Sequence, residues 1–269
     1  MSELLHAIND ISSGFPRRGM APATPAGVGA HTTVAWARHL DEVREAQRLR
    51  YSVFAGEMGA QLGGTVPGHD VDLFDDYCEH LLVREGATGR VIGTYRVLTP
   101  AQAKRAGSFY SDTEFDLTRL RHLRDRMVEL GRSCVHPDHR HGGVVLALWG
   151  ALADFMARNR LDNMIGCVSI PMLHNGGLGG DAAASIWRQV QRTHLAPIEF
   201  QVRPRMPLPL EHLDGSLDVE PPALVRAYLR LGAKVLGPPA WDPDFNSADL
   251  PMLMRIAELP ARFRRQFAA

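Results

Sequence analysis

Residues 142–160, GGVVLALWGALADFMARNR, are apolar around most of a helical circumference. A helix of that kind cannot face water on one side, so the rest of the chain must cover it. It is preceded by MVELGRSCV (127–135) and followed by NMIGCVSIPM (163–172), both of which read as strands. The helix must therefore lie against a sheet that its own flanking strands help to build.

The remaining segments fit around this unit. TTVAWAR (32–38) reads as a strand and DEVREAQRLRYSVFAGEMGA (41–60) as a helix, with Asp41 as N-cap and Val43, Ala46, Leu49 and Val53 at helical spacing. HLLVRE (80–85) and RVIGTYRVLT (90–99) flank Gly-Ala-Thr-Gly and predict a hairpin. AAASIWRQVQRTH (182–194) and PPALVRAYLRLGA (221–233) predict two further helices, the second opened by proline and closed near Gly232. PIEFQVRP predicts a short strand and KVLGPPAWDPDF a last strand and turn; ADLPMLMRIAELPARFRRQF ends the chain. The order predicts an α/β (α+β) domain around one mixed sheet, spanning residues 31–269. Residues 1–30, rich in Gly, Pro, Ala and Ser without a sustained period, read as a flexible arm.

Composition excludes some functions. The chain of 269 residues carries 30 basic and 30 acidic side chains, so no field of one sign favours bulk nucleic-acid binding. No apolar run is long enough to span a membrane, and the amino terminus lacks the apolar core of a secretory signal. Cys78, Cys134 and Cys167 are isolated and read as reduced, buried thiols. A cytoplasmic protein is the default expectation.

The polar chemistry concentrates in MVELGRSCVHPDHRHGG, residues 127–143. Strict alternation sends Glu129 and Arg132 to opposite faces; one inserted residue puts them on the same face, and Gly131 is where a bulge is easily made. A bulge also frees a backbone N–H for a carbonyl oxygen that develops charge, so the segment could be an acyl-transfer centre. Equally, it could be an ion pair beside a strand glycine. Arg140, Gly142 and Gly143 open the long helix and suit an anion. His136, His139 and His141 match neither zinc-finger nor HExxH spacing, so no metal is expected and their role stays open. Asp70, Asp72, Asp75 and Asp76 in DVDLFDD could meet an ammonium group or solvate a loop; they lack the calcium-loop frame.

In combination, RYSVF (50–54), D-x-x-D (72–75), G-T-Y-R (93–96) and E-x-x-R (129–132) resemble the acyl-homoserine lactone synthases, within the GNAT acyltransferase superfamily. FDDYCEHLLV, GSFYSDTEFDL, ELGRSCVHPDHR, LWGALADF and YLRLGA resemble more closely the ornithine-lipid-forming N-acyltransferases, in order over residues 34–255. MGAQ stands where the lactone synthases have an aromatic residue after RxxVF, and the CoA loop is degraded to Arg140-His141-Gly142-Gly143-Val144-Val145.

The resemblance implies a GNAT-like, autoinducer-synthase-like sheet flanked by helices. It also implies transfer of a (3-hydroxy) fatty acyl group from the phosphopantetheine thioester of acyl carrier protein to the α-amine of ornithine, giving lyso-ornithine lipid, with no bound cofactor. By matching position, Glu129 would be the base, Arg132 its partner, Ser133 part of the oxyanion site and Tyr228 the proton donor to sulfur. Arg50, Phe54, Asp72, Asp75 and Arg96 would serve the acceptor, and Arg140, Gly142 and Gly143 the pantetheine phosphate. Acylation of glutamine or glycine, homoserine lactone synthesis from S-adenosylmethionine, and a non-catalytic carrier-protein-binding module are the alternatives. An acidic carrier protein would meet Arg119, Arg121, Arg124 and Arg126, or Arg140 with Arg158 and Arg160. RFRRQF (262–267) mixes aromatics and arginines as peripheral membrane segments do.

Overall fold

The alternating apolar residues of EHLLVRE and VIGTYRVL fold as the expected hairpin, β2 (Glu79–Glu85) paired antiparallel with β3 (Val91–Leu98). The structure is a computed structural model that describes residues 32–64, 66–140, 142–174 and 177–260. The amino-terminal arm, His141 and RFRRQF lie outside the described residues. β1 (Thr32–Trp36) adds to the outside of β2, and β4 (Met127–Val135) pairs antiparallel with β3. β5 (Asn163–Pro171) runs parallel to β4. Beyond it come β6 (Lys234–Val235), β7 (Ala240–Asp242) and β8 (Ser247–Arg255). The sheet order is β1-β2-β3-β4-β5-β8-β6, with β7 also on β8. One parallel pair in an otherwise antiparallel sheet matches the expected mixed class.

The apolar 142–160 segment forms α4 (Gly143–Asn159), which buries Val144, Leu148, Leu152 and Met156 against Leu81, Val128 and Met164. α5 (Asp181–His194) and α6 (Ala223–Arg230) complete this layer through Ile186, Val190, Val225 and Tyr228. On the other face, α1 (Leu40–Phe54) packs Ala46, Leu49 and Val53 on Leu82 and Val91. α2 (Pro100–Ala106) and α3 (Ser111–Glu114) lie on the same side, over a cluster with Leu98, Met127, Ile165 and Leu253.

Three expectations change. α1 is capped by His39, not Asp41, and stops at Phe54; Asp41 lies in the first turn, where a carboxylate favours the helix dipole, and the two glycines of GEMGA disfavour its continuation. PIEFQVRP is a 3-10 turn and two strand residues, Arg203–Pro204, paired with Phe115–Asp116. The ADLPMLMR stretch, left without a place in the sheet, is β8. Among the described residues no helix is long and apolar enough to cross a membrane. All three cysteines are free, and burial pushes the Cys78 and Cys134 thiols up to about 12.

Candidate active site

β4 and β5 pair only from Met127–Asn163 to Glu129–Ile165 and then part. Gly166 marks the fork: a Cβ there would sit 2.4 Å from the Leu130 carbonyl oxygen. On its other edge β4 carries the expected bulge. Arg96 faces Gly131 and Thr94 faces Cys134, which leaves Arg132 and Ser133 together opposite Tyr95. The left-handed residue is Arg132, at φ 51°, whereas Gly131 has ordinary backbone angles. The bulge is thus centred one residue beyond the glycine expected to make it.

A cavity of about 620 Å³ opens where the strands part and reaches both faces of the sheet. Glu129, Arg96, Arg132 and Asp249 line its polar end; Met164, Val168, Trp149, Ile186 and Met252 line an apolar end beneath α4 and α5. Ser133 and Tyr228 also line it.

Glu129 is 5% exposed. Its carboxylate accepts from the backbone N–H of Tyr110 at 2.5 Å, from that of Ser111 at 2.7 Å, and from the Ser111 hydroxyl. Three of about four acceptor positions are filled, and one remains. Burial pushes its pKa above the usual carboxylate range, against the pull of Ser111, the Tyr110 N–H and Arg96. Arg132 is not its ion-pair partner. The Arg132 Nη2 donates to Asp72 Oδ2 at 3.0 Å, and its guanidinium lies over the rings of Tyr110 and Phe245 at 5.0 and 4.8 Å. Neither reading of an Glu129–Arg132 pair holds; the two share the cavity but hold different groups.

Of the loop aspartates only Asp76 is exposed; Asp70, Asp72 and Asp75 do not solvate a loop. Fully buried Arg50 donates from Nε to Asp70 and from Nη2 to Asp75, both at 2.7 Å. Arg96 bridges Asp72 at 2.6 Å and Asp75 at 3.1 Å, and Asp72 passes the web on to Arg132. Burial raises the Asp72 and Asp75 carboxyls, but the arginine charges outweigh it and hold both below their ordinary values. Of the expected acceptor residues, Phe54 and Arg96 line the cavity, while Arg50, Asp72 and Asp75 stand behind them and fix Arg96 and Arg132. Phe54 packs edge-on against Phe245.

At the start of α4, Gly142 has φ 93°, a conformation that suits glycine. Arg140, assigned to a phosphate, instead holds Glu57 through two hydrogen bonds of 2.6 and 2.7 Å and donates to the Val135 carbonyl. His139 lies 3.7 Å from Glu85, and His136 3.7 Å from Asp138. In the first of the two arginine groups expected to meet a carrier protein, Arg124 pairs with Asp112 and Arg126 with Asp162.

Several residues at the site carried no signal in the sequence. Tyr95 donates to or accepts from the Tyr228 hydroxyl. Ser111 holds Glu129, and Glu57 holds Arg140. Glu114, Asp242 and Asp249 converge from three distant segments. Tyr95 falls inside G-T-Y-R, and Ser111 and Glu114 inside GSFYSDTEFDL, and nothing in either block singles them out.

Residues 49–150 match the acetyltransferase (GNAT) domain family. The L-ornithine N(alpha)-acyltransferase of Rhodobacter capsulatus is 36% identical over 244 residues, covering 85% of this chain and 91% of that protein. The enzyme of the same name from Brucella abortus is 34% identical, covering 84% and 85%. Among solved structures, the AHL synthase LasI is similar with a TM-score of 0.48 and 14% identity, over 84% of this chain and 91% of that one. At 36% identity over 91% of the length of the Rhodobacter capsulatus enzyme, the chain belongs to the L-ornithine N(alpha)-acyltransferase family of GNAT-type acyltransferases.

Proposed function

We propose that this protein transfers a fatty acyl group from the thioester of acyl carrier protein to the α-amine of ornithine. The observation that carries the reading is the cavity at the fork of β4 and β5, polar beside Glu129 and apolar beneath α4 and α5. A long acyl chain needs the apolar end and an amino acid needs the polar one.

In this reading the α-ammonium loses a proton to the free acceptor position of Glu129, directly or through water. The neutral nitrogen attacks the thioester carbonyl carbon, and the oxyanion is held by backbone N–H groups of the Arg132–Ser133 bulge. The C–S bond breaks as the amide C–N bond completes, and Tyr228 supplies the proton to sulfur. The second proton of the attacking nitrogen passes back to the Tyr228 oxygen through water or the Tyr95 hydroxyl, so that Glu129 carries the one proton released. Arg132 lines the polar end while Asp70, 3.3 Å from its Nε, and Asp72 hold it in place, which supports a role in meeting the acceptor carboxylate. Gly142 and Gly143 would receive the pantetheine phosphate, with Arg140 joining once Glu57 releases it.

The test is release of free thiol from an acyl-carrier-protein thioester, with mass analysis of the product. Release that requires ornithine and yields the N-acyl product is the expected outcome. Binding of the carrier protein without thiol release would leave a non-catalytic module. A preference for glutamine, glycine or S-adenosylmethionine would change the acceptor.

A further inference from the structure

Three carboxylates that no step above uses converge beside the polar end of the cavity. Glu114 closes α3, Asp242 closes β7, and Asp249 sits in β8 opposite Ser169 of β5. One oxygen from each lies within 4.8 Å of the others. Asp242 Oδ1 accepts from the N–H groups of Asp244 and Phe245, and Asp249 Oδ1 from the Ser247 hydroxyl. Both oxygens of Glu114 are closed off from solvent, and the Tyr110 hydroxyl and the Cys167 thiol are the donors beside them. Asp242 and Asp249 line the cavity, and Asp249 is 5% exposed. Burying a carboxylate beside two neutral donors only is costly, and neighbouring carboxylates make it more so. Burial first, then their mutual repulsion, pushes Glu114 up; burial and Asp242 act on Asp249 in the same sense. A cation would relieve both.

The position and the shape of the gap favour an ammonium. Cys167 stands between the cluster and the base: its sulfur is 3.5 Å from the Ser111 hydroxyl that holds Glu129, and the charges of Glu114 and Asp249 act on it. The cluster is therefore one short side chain away from the amine that Glu129 deprotonates. An ammonium has three N–H donors for three carboxylates. Hydrogen bonds of about 2.8 Å at tetrahedral angles spread the acceptors about 4.6 Å apart, a spacing inside the 4.8 Å bound on the separations of the three oxygens.

We propose that Glu114, Asp242 and Asp249 seat the side-chain ammonium of the acyl acceptor and so select a diamino acid. The inference rests on acyl transfer to an amino-acid amine at Glu129. Its test compares ornithine with norvaline, which lacks only that ammonium, in the wild type and in the E114Q/D249N double variant, using an acyl-carrier-protein thioester as donor. A site built around a polar group rejects the analogue without it, so the wild type should prefer ornithine by on the order of 10²-fold or more in kcat/KM. In the double variant that preference should fall below roughly 10-fold, through KM for ornithine more than through kcat. Where the double variant fails to unfold cooperatively, D242N gives the same readout. A preference kept in full by the variants overturns the seat, as does activity on ornithine that a chelator abolishes and calcium restores. A wild type that acylates both amino acids equally removes the seat alone; one that acylates neither removes acyl transfer itself.

Discussion

The hydroxyls of Tyr95 on β3 and Tyr228 on α6 are hydrogen-bonded to each other, 133 positions apart in the chain, at the apolar side of the cavity. Burial pushes both phenols up, so each keeps its proton through the neutral range. If Tyr228 protonates the leaving sulfur, Tyr95 can restore its proton. Tyr228→Phe should then lower kcat by roughly 10²-fold, at the low end of general acid catalysis. Tyr95→Phe should cost less, and the double variant no more than Tyr228→Phe alone. Additive losses in ornithine-dependent thiol release would mean that the two hydroxyls act separately.

Glu129 must be ionised to act as a base, and burial raises its pKa while Ser111 lowers it. Activity should therefore fall as pH drops through a value above the ordinary carboxylate range. Ser111→Ala removes the hydroxyl donor to the charged form, keeps the backbone N–H, and should move that acid limb to higher pH. Glu129→Gln should fold and lose on the order of 10²-fold or more in kcat. A pH–rate profile of kcat/KM reads both, and an unmoved limb in Ser111→Ala would count against Glu129 as the titrating group.

The Arg50 web concerns stability rather than chemistry. Removing a fully buried partner strands Asp70 and Asp75, so Arg50→Met should destabilise by about 3–5 kcal/mol. Asp72 and Asp75 titrate lower in the folded state than in the unfolded chain. Their contribution is fully present above the unfolded value of about 3.9 and is lost as pH falls through the folded value. The urea midpoint of the wild type should drop steeply on acidification below about pH 4, and Arg50→Met should flatten that drop.

Local signals were legible and distant ones were not. The hairpin turn of Gly86–Gly89 and the apolar circumference of residues 142–160 put β2, β3 and α4 in place, because both are properties of short windows. β8 was missed through Pro251, which in a sequence argues against an interior strand. In the fold the proline costs one donor, and its carbonyl still accepts from Leu236 at 2.8 Å. Arg140-His141-Gly142-Gly143 looks like a phosphate site until Glu57, 83 positions from Arg140, takes the guanidinium. Glu114, Asp242 and Asp249 have no spacing to read; the register of β7 on β8 and of β8 on β5 brings two of them together. Glu129 and Arg132 were legible as cavity residues, but their partners, Ser111 and Asp72, come from elsewhere in the chain.

Two glycines at the fork should respond in opposite ways. A Cβ on Gly166 would meet the Leu130 carbonyl at 2.4 Å, and backbone cannot swing aside as a side chain can. Gly166→Ala should therefore cost about 1–3 kcal/mol, as overpacking does, or force β4 and β5 apart where Glu129 and Ile165 make their last pair. Either outcome should lower both the unfolding midpoint and the turnover. A Cβ on Gly131 meets nothing within 4 Å, and its φ is not left-handed. Gly131→Ala should keep the wild-type unfolding midpoint, because Arg132 and not Gly131 carries the bulge. Thermal unfolding of the two variants decides the matter: a larger loss in Gly131→Ala than in Gly166→Ala would place the strain of the fork at the wrong residue.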